Sequence, residues 1–142
     1  MTKIDKDAVN TAYEEVRADN SETTWFTLKF SGTTIELDAT GADYEEFLSQ
    51  FTHDERKFGY VRVLMGDEMS KRSKFVFITW VGRDVSAMQK AKLSVDKSVV
   101  KNVIKNFAVE ILAEDPSDIS LEAVKEKLRK AGGANYGTGV AS

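Results

Sequence analysis

The 142-residue chain contains no cysteine, one histidine and one proline. The lack of cysteine excludes a disulfide framework, a cysteine-ligated zinc site and a thiol nucleophile. His53 alone leaves most histidine-based metal centres and catalytic triads without their residues. No apolar run approaches the roughly 18 residues of a membrane span, and the start MTKIDKDAVN has no apolar stretch typical of a signal peptide. These absences predict a soluble, intracellular protein that is not an enzyme.

Motifs for phosphate binding and catalysis are also missing. The glycine-rich C-terminal end has no GxGxxG or GxxxxGK[ST] pattern between a strand and a helix, which excludes the usual phosphate-binding loops. The pairs Glu14/Glu15 and Glu45/Glu46 are adjacent residues on predicted helices, so their carboxylates do not face one another. The serine, threonine and tyrosine residues have no recognisable activating neighbour. We therefore predict no catalytic residue, no metal and no cofactor.

The bulky apolar residues that are present support one folded domain. Eight Phe, four Tyr and two Trp supply core material, and the chain length is typical of a single domain. We assign residues 1–131 to this domain. Residues 132–142, GGANYGTGVAS, are expected to form a flexible glycine-rich tail.

Hydrophobic periodicity predicts the secondary structure. Helices are expected at 5–18, 42–51, 86–109 and 121–130, with Asp5 or Asp7 at the start of the first. The third helix has a predicted apolar stripe and a possible break at Ser94 or Asp96; the stripe comprises Val95, Val99, Val100, Val103, Ile104 and Phe107. Strands are expected at 23–30, 33–37, 56–65, 74–81 and 108–113.

The order of these elements predicts the fold class. The short connection between strands 56–65 and 74–81 indicates an antiparallel pair, and the nearly unbroken apolar run 74–81 indicates a strand covered on both faces. The whole pattern predicts an α/β sandwich in which helices cover a mostly antiparallel sheet.

Charge is unevenly distributed along the chain. Residues 71–105 contain nine basic and two acidic residues, a net charge of +7, whereas the rest of the chain has 11 basic and 21 acidic residues. Such a concentration of positive charge favours an acidic partner, although solvated helix faces explain it about equally well.

Three cations, Lys71, Arg72 and Lys74, stand at the entrance of the apolar strand 74–81. They could simply keep a hydrophobic hairpin soluble. Alternatively, the rigid strand could hold them as an electrostatic contact for a partner. Lys97, Lys101 and Lys105 repeat at every fourth position of the predicted long helix and would form a second basic surface.

Four segments of the sequence resemble a known family: GDEMSKRSKFVFITWVG, VSAMQKAK, VDKSVVKNVIKNFAVEI and LRKAGGANY. They are similar to the coactosins, which belong to the actin-depolymerising-factor (cofilin) homology family. The resemblance extends from residue 3 to Tyr136. It implies a single domain with a central mixed, mostly antiparallel sheet of five or six strands and helices on both faces.

The resemblance also implies function. Coactosins bind along the side of actin filaments in the cytoplasm, with weak or no monomer binding and without nucleotide or calcium. By position, Lys74 is the best candidate for an essential filament contact, with Lys71 and Arg72 beside it. The other family contact maps to the start of the long helix and its lysine-bearing flank, at Met88, Lys90, Lys92, Lys97 and Lys101. Lys130 could serve a second partner or merely compensate the helix dipole.

Two departures from the severing cofilins refine this expectation. The chain opens with MTKIDKD instead of a short flexible segment with a regulatory serine, and it reads AMQKAKLSVDK where those proteins have a KMxYASSK-like run. The departures favour a monomeric filament-binding protein that neither severs nor depolymerises and that competes with capping factors.

Two other functions remain open from the residues alone. The basic segment 71–105 could bind nucleic acid, but the isoelectric point near 5.3 and the absence of a recognisable RNP-like aromatic pair argue against it. An adaptor or chaperone for another acidic cytosolic protein cannot be distinguished by sequence. We therefore expect actin filaments as the partner, with no nucleic acid and no membrane.

Overall fold

A six-stranded sheet forms the centre of the molecule. The structure, a computed structural model, describes residues 2–66 and 70–133. The strands are β1 (Lys3–Ile4), β2 (Trp25–Ser31), β3 (Thr34–Gly41), β4 (Arg56–Gly66), β5 (Lys71–Val81) and β6 (Val109–Ala113). They lie in the order β1-β3-β2-β4-β5-β6. Pairs β1/β3 and β5/β6 are parallel and the other three are antiparallel, which confirms the predicted mixed, mostly antiparallel sheet.

Five helices cover the sheet. They are α1 (Lys6–Arg17), α2 (Tyr44–Ser49), α3 (Ala87–Ala91), α4 (Leu93–Lys101) and α5 (Leu121–Gly133), with a short 3-10 helix at Pro116–Ile119. Asp5 caps α1, as one of the two predicted alternatives, because its carboxylate accepts from the Ala8 N–H. No helix in residues 2–66 and 70–133 combines the length and apolar character needed to cross a bilayer.

Each face of the sheet has its own core. On one face, α2 and α5 pack against Trp25, Val61, Val76, Ile78 and Trp80. On the other face, α1 and α4 pack against Phe26, Leu28, Phe58, Tyr60 and Phe77. Strand β5 therefore lies between two layers of helix, as its nearly unbroken apolar sequence predicts.

The predicted long helix 86–109 is wrong in length, and its predicted apolar stripe is wrong at Val95, whereas Val100 and Ile104 are buried as predicted. Helix α3 ends before Lys92 and α4 ends at Lys101, so the break lies two residues earlier than Ser94. Val95 is 64% exposed, whereas Asp96 is 2% exposed. Asp96 is buried because Arg56 Nη1 and Thr2 Oγ1 each donate to its carboxylate at 2.6 Å. These donors lie far away in the sequence, so periodicity could not indicate them.

Near the two ends of the chain the structure differs from the predicted elements, and some predictions lie outside the described residues. Strand β1 was not predicted, and α5 continues to Gly133, past the predicted end at Lys130. Asp67–Met69 and the C-terminal residues 134–142, which include Tyr136, lie outside the described residues. The expected tail therefore stays a prediction.

Candidate functional site

The β4–β5 hairpin extends beyond the rest of the sheet. Its register continues from Arg56↔Val81 to Gly66↔Lys71. Strand β2 pairs with β4 only as far as Val61, and β6 begins opposite Val76 of β5. Residues 62–66 and 71–75 therefore form a two-stranded projection, which we call the arm.

The arm carries the three cations that the sequence places before the apolar strand. Lys71–Lys74 belongs to β5 and is not the turn that we predicted, because each of these residues pairs with a residue of β4. Arg72 and Lys74 share one face, and Lys71 projects to the opposite one, since side chains alternate along a strand. Lys71 and Arg72 are exposed and Lys74 is half-buried. Among the described residues, no carboxylate lies within salt-bridge distance of these three cations.

Arg62 fixes the base of the arm. Its guanidinium donates to the carbonyl oxygens of Val16 at 3.0 Å, Ala18 at 2.6 Å and Ser21 at 2.7 Å. Because these carbonyls belong to the end of α1 and the segment after it, Arg62 ties that segment to β4. The sequence gives no sign of this role of Arg62, because the backbone carbonyls that accept its hydrogen bonds carry no sequence signal.

A groove of about 910 Å³ runs along one side of the arm. Cationic side chains from four elements line it: Arg17, Arg62, Lys71, Arg72 and Lys125. The Arg17 guanidinium also lies over the Phe75 ring, 5.6 Å from its centroid, and its Nη1 donates to Tyr13 Oη at 3.0 Å. That hydrogen bond raises the pKa of Arg17, so its charge persists at every physiological pH.

Helix α3 displays the second set of predicted contacts. Met88 is 73% exposed, and Lys90 and Lys92 are exposed beside it. Ser86 caps the helix by accepting from the Gln89 N–H at 3.2 Å. Helix α3 follows the C-terminal end of β5, whereas the N-terminal end of β5 is part of the arm. Seven residues at about 3.3 Å each separate Lys74 from Val81, so this part of β5 is roughly 23 Å long and the two sets lie at its opposite ends.

Lys97 and Lys101 are engaged within the molecule. Lys97 Nζ lies 2.8 Å from Glu110 Oε2, and Lys101 Nζ donates to Glu110 Oε1. Partial burial raises the pKa of the Glu110 carboxyl, but the hydrogen bonds from Lys101 and Lys97 outweigh it and leave that pKa below its usual value. The positive charges of both lysines are thus partly neutralised within the free protein.

The remaining candidates are isolated. Lys130 is exposed in the last turn of α5, and Lys105 is exposed beyond the end of α4. His53 is exposed and lies 6.5 Å from the Trp80 ring. Within the described ranges no group of three or more histidine or carboxylate residues could hold a metal ion.

The fold therefore divides the basic segment 71–105. The arm is at one end of β5, α3 is at the other, and the Lys97/Lys101/Glu110 cluster lies between them on α4 and β6. The segment does not form one continuous basic surface. The arm and α3 are two places where its cations face solvent without a salt-bridge partner among the described residues, and the exposed Lys105 is a third.

Comparison with known sequences identifies similar proteins. Residues 1–129 match the model of the cofilin/tropomyosin-type actin-binding protein family. Coactosin-like protein from Bos taurus is 50% identical over 135 residues, which cover 95% of this chain and 95% of that protein.

Solved structures of coactosins are also similar to this chain. The crystal structure of human coactosin-like protein superposes with a TM-score of 0.89 at 46% identity and covers 92% of this chain and 99% of that one. The solution structure of mouse coactosin, described as an actin filament binding protein, has a TM-score of 0.79 at 47% identity and covers 99% of both chains.

Proposed function

This chain belongs to the cofilin/tropomyosin-type actin-binding family, and we propose that it binds the sides of actin filaments through the arm. The similarity to coactosin-like proteins extends over 95% of the chain, so the function is of the coactosin type. The mouse relative is described as an actin filament binding protein. These similarities support filamentous actin as the partner.

The arm is the observation that carries the proposal. Lys71, Arg72 and Lys74 extend past the sheet on a hairpin that Arg62 fixes at its base. Because the scaffold is rigid, little side-chain and loop entropy is lost when a partner binds. Actin is acidic, so cations free of carboxylate partners steer the encounter and form complementary pairs.

Separation of the arm from α3 supports a preference for filaments over monomers. The mouse relative is named an actin filament binding protein, and two linked contacts at opposite ends of β5 would reinforce each other on a filament. Met88, Lys90 and Lys92 would supply the second contact. We place Lys97 and Lys101 at its margin, because Glu110 already holds them.

The rest of the proposal follows the coactosin pattern. The chain acts as a cytoplasmic, cytoskeleton-associated monomer without catalysis, nucleotide or calcium, and it opposes capping without severing or depolymerising filaments. The nucleic-acid hypothesis relied on one continuous basic surface, which the position of Glu110 interrupts. Lys130 stays available to another partner at the end of α5.

Filament pelleting with the Lys74→Ala variant tests the proposal. Removal of a half-buried cation from a contact leaves the opposing carboxylate unpaired, so we expect filament affinity to fall at least about tenfold, or about 1.4 kcal/mol. The measurement is the bound fraction against actin concentration, beside a monomer-binding assay.

Lys29→Ala is the matched control. Lys29 is also an exposed lysine on a strand, but it lies on β2 and faces Glu36 at 3.9 Å. Its substitution should leave pelleting unchanged. Equal pelleting of the Lys74→Ala variant and the parent would show that the arm is not the contact.

A further inference from the structure

We propose that Ser73 is a phosphorylation site, at which a serine kinase that selects lysine- and arginine-flanked substrates switches off filament binding by the arm. The inference rests on the proposed function, since it concerns the same surface. Ser73 lies between Arg72 and Lys74 in the sequence, and the three residues follow one another along the arm.

Ser73 is placed where a kinase can reach it. Its side chain is half-exposed and lines the groove beside the arm. Strand β6 begins only opposite Val76, so no described strand covers the outer edge of residues 71–74. The segment is already extended at that free edge, and an extended partner chain can therefore pair with it.

The modification is a simple phosphoryl transfer. Ser73 Oγ attacks the γ-phosphorus of ATP held by the kinase, and a new Oγ–P bond forms. The bond between that phosphorus and the β,γ-bridging oxygen breaks, so ADP leaves with the electron pair. The hydroxyl proton passes to the kinase's catalytic carboxylate.

A phosphate at this position cancels most of the charge of the arm. It adds a charge of about −1.5 to −2 at neutral pH, against the three cations Lys71, Arg72 and Lys74. Arg17 and Lys71 line the same groove as Ser73, and a phosphate on Ser73 would attract them in place of a partner. The positive potential that attracts actin is thereby lost.

Asp19 adds to the effect. Ser73 Oγ donates to Asp19 Oδ1 at 3.4 Å, a long hydrogen bond across 54 residues of sequence. Phosphorylation removes that donor and brings a second anion to the carboxylate, so the segment after α1 is repelled from the arm. The unmodified hydroxyl itself contributes only this weak bond, so Ser73→Ala serves as the reference chain that cannot be phosphorylated at this position.

Two measurements test the proposal. First, the purified chain and its Ser73→Ala variant are incubated with ATP and a lysine/arginine-directed serine kinase, and the modified residue is located by mass spectrometry. Second, the full chain is prepared with phosphoserine at position 73 by genetic incorporation, and its pelleting with filaments is compared with that of the unmodified chain and of Ser73→Ala.

We expect phosphate at Ser73 and a filament affinity for the phosphorylated chain at least about tenfold below that of the unmodified chain and of Ser73→Ala. Lack of phosphate at Ser73, or equal pelleting of the phosphoserine chain and the unmodified chain, would overturn the proposed phosphorylation switch but not the proposed filament binding. If the unmodified chain fails to pellet, the proposed function itself is wrong, and the two failures are thus separated.

Discussion

Asp19 places a carboxylate beside the arm, 3.4 Å from Ser73 Oγ. A negative charge there weakens the positive potential around Lys71, Arg72 and Lys74 within a Debye length of about 10 Å at 0.1 M salt. We therefore expect Asp19→Asn to raise filament affinity about two- to fivefold, with the larger gain at low salt. Pelleting at two ionic strengths measures the effect.

Asp7→Asn is the control for that prediction. Asp7 is also an exposed aspartate, but it lies in the first turn of α1, at the end of the helix away from Arg17 and the arm. A gain of similar size in both variants would mean that net charge, and not charge beside the arm, sets the affinity.

Glu110 gives a pH-dependent prediction. Its pKa is lower in the folded chain than in the unfolded one, so its contribution to stability is fully present above the unfolded pKa of about 4.3 and is lost as pH falls through the folded value. Glu110→Gln should lower the free energy of unfolding by about 1 kcal/mol at pH 7, with the difference shrinking below about pH 4. Urea unfolding from pH 7 to pH 3 measures it.

Glu22→Gln provides the reference for this comparison, because Glu22 is exposed and no described residue forms a salt bridge with it. Its stability should follow that of the parent over the whole range. A Glu110→Gln deficit that stays constant down to pH 3 would show that the lysine pairs do not stabilise the fold.

The sequence predicts which residue types occupy the candidate site. It does not predict which of their charges already have a salt-bridge partner in the folded chain. The spacing of Lys97 and Lys101 indicates a shared helix flank. Their pairing with Glu110 depends on β6 lying beside β5, which is a tertiary arrangement. In the same way, Arg62 and Asp19 acquire their roles only once α1 and the arm are brought together.

At the level of elements, Asp96 shows where α4 is anchored. Its carboxylate is 2% exposed and receives hydrogen bonds from Arg56 and Thr2. Asp96→Ala leaves the largely buried Arg56 guanidinium without its partner, so we expect a loss of about 3–5 kcal/mol in the free energy of unfolding. Urea denaturation monitored by tryptophan fluorescence measures it.

Ser98→Ala is the control on the same helix. Ser98 is exposed and its hydroxyl donates only to the Val95 carbonyl, so the change should stay within about 0.5 kcal/mol of the parent. If Asp96→Ala were as stable as Ser98→Ala, the Asp96 network would not hold α4 to the sheet.

The strands were predicted better than the helices for a physical reason. Strands β2, β4 and β5 are rich in aromatic and β-branched residues, which is a local signal. The orientation of α4 instead depends on the buried ion pair with Arg56, and β1 depends on two residues pairing with β3. The ion pair and the β1/β3 pairing are both contacts between distant parts of the chain, which a local sequence pattern does not show. The pattern therefore predicted that Val95 faces the core, whereas in the structure Asp96 is the buried residue.

For the whole molecule, the position of the arm relative to α3 is the main structural result. The sequence suggested two basic surfaces but could not indicate their relation. The sheet places them at opposite ends of β5, which is roughly 23 Å long from Lys74 to Val81. One small rigid body can thus contact a filament at two separated points.

The absence of cysteine makes a direct test of this account possible, since any introduced thiol is unique in the chain. Met65→Cys places a thiol on the arm, at a half-exposed position on the face that Arg72 and Lys74 share. Ser49→Cys places one on α2, also at an exposed position. The rate of alkylation is measured for each variant with and without saturating actin filaments.

We predict that filaments slow alkylation of the Met65→Cys thiol at least about tenfold and leave that of the Ser49→Cys thiol unchanged, because a residue covered by a partner loses its access to solvent. Alkylation of the Met65→Cys thiol at the same rate with and without filaments, while the variant still pellets with them, would contradict the account, because the filament would then be bound by a surface other than the Lys74 face of the arm.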